Sequence, residues 1–179
     1  MSKSERFFQT KYRSPLGNIS IASDGENIVG LWLEGQKYFQ NTIRGEMILR
    51  EDLPIFDVAR EWLNRYFEGE RMKITGLPLA PVGSEFQQMV WKILCEIPYG
   101  EMTTYGEIAR RIAKERKIAR MSAQAVGGAV GHNPISIMIP CHRVIGANGN
   151  LTGYGGGIDK KIKLLELEGV DVSRLKMPD

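Results

Sequence analysis

The hydrophobic pattern of this chain changes at residues 74–83, and that change limits the folds that the sequence can adopt. Residues 17–33 alternate like two β-strands joined by a turn at Asp24-Gly25. Apolar residues over 54–68 instead roughly follow a helical period. The segment 74–83, ITGLPLAPVG, contains two prolines and two glycines, a composition typical of a linker. The sequence therefore indicates a domain boundary at this segment.

The chain after this linker is mainly helical in pattern. Ser84 with Gln87, and Thr104 with Glu107, have the spacing of capping boxes at the start of two helices. Ser122 is expected to cap a further short helix. These signals indicate several short helices rather than a second sheet.

The two patterns together predict an α+β fold. Residues 1–80 are expected to form a small domain of β-sheet and helix, and residues 84–179 a mainly helical domain. Within the second domain, two short helices joined by residues 110–120 suggest a helix-turn-helix, whose second helix would enter a DNA groove. Residues 110–120, RRIAKERKIAR, hold six basic residues against one acid. They form either a solvated surface or a surface that contacts phosphates.

Two adjacent glycines, Gly127 and Gly128, fall inside the second of these short helices. A glycine in a helix interior costs about 1 kcal/mol relative to alanine. The cost is acceptable where the backbone must come close to another surface. That surface is either a neighbouring helix or DNA.

The cysteine content points to chemistry rather than to cross-linking. Two cysteines and two histidines are too few for a disulfide framework, and no C-x-x-C pair suggests a zinc site, so no metal is expected. Cys95 lies opposite the apolar face of its helix and is interpreted as an incidental or packing thiol. Cys141, in contrast, directly precedes His142.

A cysteine is a weak nucleophile until it loses its proton, and His142 could accept that proton directly or through a water. A carboxylate behind the histidine would orient the ring. The last helix, expected from Asp159 to Gly169, offers Glu168 on the same face as Ile158, Ile162 and Leu165. The alternatives are an inert buried thiol and a solvated glutamate at the end of a helix.

These residues lie within motifs that resemble the O6-alkylguanine-DNA alkyltransferases. The run from Asn133-Pro134 to PCHRV, residues 140–144, is similar to the active-site signature of that family. The resemblance continues through FQQMVWKIL, YGEMTTYGEIA, AVGGAV and LTGYGGGIDKK, and so covers essentially all of residues 84–179. It implies two domains, binding through the minor groove, and extrusion of the damaged nucleotide into a pocket.

The resemblance also implies roles for individual residues. Cys141 would accept the alkyl group, activated through water by His142, which Glu168 would orient. Tyr105 would help rotate the flanking phosphate and donate a hydrogen bond to the base. Asn133 would brace the turn between the recognition helix and the cysteine strand.

Further positions follow from the same motifs. Main-chain groups at Cys141 and Val144 would read the guanine edge, Tyr154 would close over the pocket, and Lys161 matches a family lysine near the site. The implied DNA-contacting residues are Tyr105, Ser122, Ala123, Gln124, Gly127 and Arg143.

Two positions depart from the family pattern. Gln124 stands where family members often carry an arginine that fills the gap left by the flipped base, and glutamine brings no positive charge. Gly155, also expected in the pocket, stands where some relatives have serine, so one side-chain donor is absent. The first departure concerns affinity for DNA rather than chemistry.

The expected activity is therefore a single irreversible alkyl transfer from O6 of guanine, with O4-alkylthymine as a further candidate substrate. The expected partner is double-stranded DNA that contains O6-alkylguanine, without any cofactor. No signal peptide or membrane segment is apparent, so a monomer in the cytoplasm is expected. Two alternatives are a damage-binding protein without transfer and a cysteine hydrolase, but the first does not need Cys141 and the second leaves Tyr105 without a purpose.

Overall fold

Four β-strands form the N-terminal sheet in the computed structural model, which describes residues 6–37, 39–40, 42–151 and 154–177. The strands are β1 (Arg6–Ser14), β2 (Gly17–Ser23), β3 (Ile28–Leu33) and β4 (Glu46–Leu49), in the order β3-β2-β1-β4. β2 is antiparallel to both β1 and β3, and β4 runs parallel to β1. The two strands predicted within residues 17–33 are confirmed. β1 and β4 had no clear pattern, because β1 fully buries only Phe7 and Thr10 and β4 fully buries nothing.

Helix α1 (Pro54–Phe67) packs on this sheet and confirms the helix predicted over residues 54–68. Proline at the start of the helix has the backbone angle that a helix needs. Leu63 and Tyr66 are fully buried in the same core cluster as Ile21 of β2. That cluster continues into the second half of the chain, so α1 lies between the sheet and the residues that follow the linker.

Helix α2 (Glu85–Leu94) begins at Ser84, as predicted. The Ser84 hydroxyl accepts a hydrogen bond from the Gln87 backbone N–H at 3.1 Å, and the Gln87 side chain accepts one from the Ser84 N–H at 2.9 Å. Both halves of the capping box are present. Cys95 follows the helix half-buried, and burial raises the pKa of its thiol to about 11, which agrees with a packing role.

Helices α3 (Tyr105–Glu115) and α4 (Ala123–Gly131) form the predicted helix pair and pack against each other. Ser122 caps α4, since its hydroxyl accepts from the Ala125 N–H at 3.1 Å. The box predicted at Thr104 is only half formed. The Thr104 hydroxyl accepts from the Glu107 N–H at 3.1 Å, but the Glu107 carboxylate accepts from the Thr103 hydroxyl at 2.6 Å instead of from the Thr104 backbone.

The segment that leads to Cys141 is irregular, so the strand expected there is wrong. Ile135 makes one isolated bridge to Leu31. Ile137 then has φ 71°, a value that lies outside the strand and helix regions and is rare for a β-branched residue. Cys141–Arg143 form a single turn of 3-10 helix. The short strand β6 (Val144–Ile145) follows and pairs in parallel with β5 (Thr103–Thr104), just before α3.

Asn133 joins the end of α4 to this segment. Its amide nitrogen donates to the carbonyl oxygens of Ile139 at 2.8 Å and Ile135 at 3.3 Å, and its amide oxygen accepts from the Ile135 N–H at 3.0 Å. Asn133 is buried, so water does not compete for these bonds. The side chain therefore closes the turn between the helix pair and the cysteine.

Helix α5 (Ile158–Leu167) ends at Glu168, and Gly169 follows with φ 84°, as expected for a C-terminal glycine. The predicted apolar face is partly wrong. Ile158 and Ile162 pack with Leu165 in a small separate cluster, whereas the residues that face the main site are Lys161, Leu164 and Glu168. Within the part of the chain that the structure describes, no helix has the length and apolarity needed to cross a membrane.

Candidate active site

Cys141 lies at the start of the 3-10 turn, and only 6% of its surface is exposed. Burial raises the pKa of its thiol, because a thiolate loses solvation in the interior. The nearby Asn133 amide and the positive charge of Lys161 oppose this rise. The sulfur is therefore a thiol at neutral pH that needs a base before it can react.

His142 and Glu168 form a fully buried pair, with His142 Nε2 and Glu168 Oε2 2.5 Å apart. Burial alone would raise the pKa of Glu168, but hydrogen bonds and charge from His142 and Arg143 hold it well below its usual range. The ionised carboxylate can only accept, so Nε2 carries the proton and donates it. Nδ1 is then the free base of the ring, and it is buried without a hydrogen-bond partner among the described residues.

Glu168 accepts from three further donors. Arg143 Nε donates to Oε1 at 2.7 Å, and the Gly100 backbone N–H donates to the same oxygen at 3.1 Å. The Tyr66 hydroxyl donates to Oε2 at 2.6 Å. Four donors from three segments thus hold one carboxylate, which keeps it charged and fixed in place.

The DNA-binding role expected for Arg143 is wrong. Its side chain is 8% exposed, and its guanidinium also donates from Nη1 to the Ile97 carbonyl at 2.7 Å. The ring of Tyr99 covers the guanidinium carbon at 5.8 Å. A group enclosed in this way cannot contact a phosphate, because its charge is already paired with Glu168.

Lys161 is fully buried below the turn, and its Nζ donates to the Val144 carbonyl at 2.6 Å. Burial lowers the pKa of Lys161 to about 8, with the nearby Cys141 opposing the shift. The resemblance placed Lys161 near the site, and the structure brings it there. Of the main-chain groups of Val144, which were expected to read the guanine edge, the carbonyl thus accepts a hydrogen bond from Lys161 in this structure.

Tyr154 and Gly155 lie on the loop before α5. The Tyr154 hydroxyl is buried near Ser136 and Cys141, but among the described residues it makes no hydrogen bond of ordinary geometry. Lys37 N donates to the Gly155 carbonyl at 2.8 Å, so this loop is attached to the N-terminal half. Neighbouring residues 152 and 153 of the same motif lie outside the described residues.

A cleft of about 270 Å³ separates this loop from α4. Gly127, Gly128 and Gly131 line its helical side, and Tyr154 lines the other. A Cβ at Gly128 would meet nothing within 4 Å, and one at Gly127 would lie 3.7 Å from the Tyr105 ring. Packing within the protein therefore does not require these glycines. Their lack of side chains leaves the surface of the helix accessible to another molecule.

The other residues expected at a DNA surface lie in the first turn of α4 and at the start of α3. Ser122, Ala123 and Gln124 are exposed in the first turn of α4, and Tyr105 is half-buried at the start of α3. The basic side chains of residues 110–120 are exposed as well. Of these, Arg111 is paired with Glu96 and Glu115. No cluster of three metal-binding side chains occurs within residues 6–37, 39–40, 42–151 and 154–177.

Three residues at the site carried no signal in the sequence. Tyr66 reaches Glu168 from α1, and Gln36 reaches Ser136 from the loop after β3, where the Ser136 hydroxyl donates to Gln36 Oε1 at 3.0 Å. Each pair is separated by 100 residues or more. Only a knowledge of how the two halves pack could have identified them.

The fold and this site define a protein in which a helix-turn-helix is joined, through Asn133, to the segment that carries a buried cysteine and histidine, and a glutamate holds that histidine. The chain belongs to the 6-O-methylguanine DNA methyltransferase family. Residues 7–81 match the ribonuclease-like domain of that family, and residues 85–170 match its DNA binding domain.

Relatives and solved structures agree with this assignment. The chain is 45% identical over 161 residues to the methylated-DNA–protein-cysteine methyltransferase of Haemophilus influenzae, covering 90% of this chain and 86% of the relative. It is 44% identical to the protein of the same name from Methanosarcina acetivorans, with 88% and 96% covered. The crystal structure of Mycobacterium tuberculosis OGT in complex with DNA is similar with a TM-score of 0.75 and 42% identity, covering 95% of this chain and 94% of that one.

Proposed function

We propose that this protein repairs DNA directly, by moving an alkyl group from O6 of guanine onto the sulfur of Cys141. The observation that carries the proposal is the buried Cys141 in the segment after the helix pair, followed directly by His142, which Glu168 holds by a buried hydrogen bond. Family membership and relatives named methylated-DNA–protein-cysteine methyltransferases support the same reaction. The reaction class is a displacement at carbon.

His142 supplies the base. Because Glu168 holds the proton on Nε2, Nδ1 takes the thiol proton, directly or through a water. The Asn133 amide and Lys161 charge favour the resulting thiolate. A carbon–sulfur bond then forms as the bond between the alkyl carbon and O6 breaks, and guanine leaves with the electron pair. Guanine takes up one proton, which balances the proton that His142 removed from the thiol. The product is a thioether, so each molecule acts once.

The base must leave the stack for this geometry, because a protein sulfur cannot reach O6 in line within a duplex. We assign the exposed first turn of α4, with Ser122, Ala123 and Gln124, to the DNA surface, and Tyr105 to the flanking phosphate and the base. Gly127 would allow the close approach of the DNA backbone. The flipped nucleotide would enter the cleft between α4 and Tyr154.

Several finer expectations remain proposals. The partner is double-stranded DNA with O6-alkylguanine, the chain acts as a monomer without a cofactor, and the reaction takes place in the cytoplasm. Main-chain groups at Cys141 and Val144 would read the guanine edge, which requires Lys161 to share or release the Val144 carbonyl. The pocket loop at Gly155 would close behind the base.

Intact-mass spectrometry tests the function. The protein is incubated with a duplex that carries one O6-methylguanine, and we expect a gain of one methyl group per molecule. The gain should be absent in Cys141→Ala and retained in Cys95→Ala, the matched control for the second thiol. An unchanged mass, with the duplex still bound, would instead identify a damage-binding protein.

A further inference from the structure

Tyr66 connects the N-terminal helix to the carboxylate of the candidate site. Its side chain is completely buried, and its hydroxyl donates to Glu168 Oε2 at 2.6 Å. The same oxygen accepts the proton of His142 Nε2 at 2.5 Å. Tyr66 and His142 therefore share one acceptor atom, although 102 residues separate Tyr66 from Glu168.

The ring of Tyr66 is held on three sides. Trp62 stacks on it with ring centres 5.4 Å apart and planes within 7°, and Phe67 and Tyr99 meet it edge-on at 5.3 and 6.2 Å. Trp62 is itself fixed by a hydrogen bond from Nε1 to the Lys73 carbonyl at 2.9 Å. The hydroxyl therefore has little freedom, and its contact with Glu168 is set by packing.

Burial and the nearby charge of Glu168 raise the pKa of Tyr66 far above its usual value, so the hydroxyl keeps its proton. It can only donate to the carboxylate at any pH that the fold tolerates. Such a donor takes up part of the negative charge on Oε2 and leaves less of it for His142.

We propose that Tyr66 is a positioning residue for the alkyl transfer, which holds Glu168 Oε2 and limits how strongly that oxygen draws the Nε2 proton of His142. This inference rests on the proposed function for its role in transfer, but not for its effect on His142. Without the hydroxyl, Oε2 would interact with the imidazolium alone. The protonated ring would then be stabilised, and His142 would become available as a base only at higher pH.

The other groups around His142 do not change with Tyr66. Burial lowers the pKa of His142, Glu168 opposes this, and the positive charges of Arg143 and Lys161 lower the pKa further. Tyr99 lies near Glu168 and Arg143, and Tyr154 and Cys141 lie on the reactive side. A shift on removal of one hydroxyl is therefore attributable to Oε2.

The test compares Tyr66→Phe with wild type in single-turnover transfer from an O6-methylguanine duplex across pH. We expect the acidic limb of the rate profile to move up by about 0.5 to 1 pH unit, with unchanged affinity for DNA. Tyr12→Phe is the matched control. The Tyr12 hydroxyl also donates a hydrogen bond to a side chain, Asn64 Oδ1 on α1 at 2.6 Å, but this bond does not involve Glu168. A profile identical to wild type, or an equal shift in Tyr12→Phe, would overturn the proposal.

A second readout does not depend on transfer. The chain has two histidines, so the ring nitrogens of His142 can be followed by NMR once His132→Gln assigns the other. We expect the His142 titration to move to higher pH in Tyr66→Phe. If wild type transfers no methyl group, the proposed function fails, but a shifted titration would still support the control of His142 by Tyr66. If wild type transfers and neither the profile nor the titration moves, only the Tyr66 inference fails.

Discussion

The Ser136 hydroxyl donates a hydrogen bond to Gln36 Oε1 at 3.0 Å and thereby joins the loop after β3 to the segment that leads to Cys141. Gln36 is buried, and the same oxygen accepts from the Leu33 N–H at 3.0 Å. A Cβ at Gly155 would lie 3.3 Å from Gln36 Cγ. One side chain of the N-terminal half therefore backs the loop that carries Tyr154.

This contact predicts that Gln36 limits the size of the alkyl group that the pocket accepts. Replacing Gln36→Ala removes the support behind Gly155, so the loop can yield to a larger group. We expect the rate for O6-benzylguanine relative to O6-methylguanine to rise by about threefold or more, since small changes in pocket contacts are worth at least this much. Gln88→Ala is the control, because Gln88 is exposed on α2 and its amide nitrogen donates to the Pro81 carbonyl in the segment before that helix. An unchanged ratio of rates would contradict the prediction.

Arg143 is predicted to matter for stability and not for binding to phosphates. Arg143→Met leaves the buried Glu168 carboxylate without its charged partner, and we expect a loss of about 3–5 kcal/mol in the free energy of unfolding. The salt dependence of DNA binding should not change. Arg120→Met, at an exposed residue between α3 and α4, should do the reverse and reduce the slope of log affinity against log salt by about 0.9. A reduced slope in Arg143→Met would return that residue to the DNA surface.

Gln124 offers a gain of function. It is exposed in the first turn of α4, and Gln124→Arg adds a positive charge there. We expect tighter binding to duplex DNA and a salt slope steeper by up to about 0.9, with little change in the transfer rate at saturating DNA. Gln88→Arg adds the same charge on α2 and should have a smaller effect. Equal effects of the two variants would indicate that α4 holds no special place on the DNA.

The lowered pKa of Lys161 predicts that the free energy of unfolding depends on pH. Its pKa is about 8 in the folded chain and 10.5 ordinarily, so between these values the unfolded chain binds a proton that the folded chain does not. The contribution of Lys161 to the free energy of unfolding therefore rises with pH across this window and is least favourable below pH 8. Denaturant titrations should show wild type gaining up to about 3 kcal/mol relative to Lys161→Met between pH 8 and 10.5. A constant difference would contradict the depressed pKa.

Alkylation is predicted to destabilise the product. Cys141 is buried beside Asn133, whose amide makes three hydrogen bonds to the backbone around it. A methyl group forced into such packing typically costs about 1–3 kcal/mol. For a chain of this size we expect the melting temperature of the methylated protein to fall by about 3–10 °C. Cys141→Ala exposed to the same duplex is the control, and an unchanged melting temperature after full alkylation would refute the prediction.

Local signals in the sequence were reliable where one segment decides the outcome. The Ser84–Gln87 box, the Ser122 cap and Gly169 after α5 each act within a few residues, and each is found in the structure. Signals that depend on pairing between distant segments were not. β4 is a half-exposed edge strand without a pattern of its own, and its place depends on β1.

The site shows the same division. The motif around Cys141 could be identified from the sequence, because it belongs to one local segment, whereas Glu168 was identified although the apolar face assigned to its helix was partly wrong. Arg143 was misassigned, because the motif that contains it does not show that its side chain is buried against Glu168. Tyr66 was not identified, because its contact exists only after α1 packs on the other half.

The hydrogen bonds of Asn133 affect how a damaged base can reach the sulfur of Cys141. Its three hydrogen bonds join the end of α4 to the segment before Cys141, and so hold the nucleophile in place relative to the helix that would lie on DNA. The sulfur cannot extend towards a stacked base while the helix stays in place. In the proposed reaction the sulfur therefore stays in place, and the damaged nucleotide moves to it.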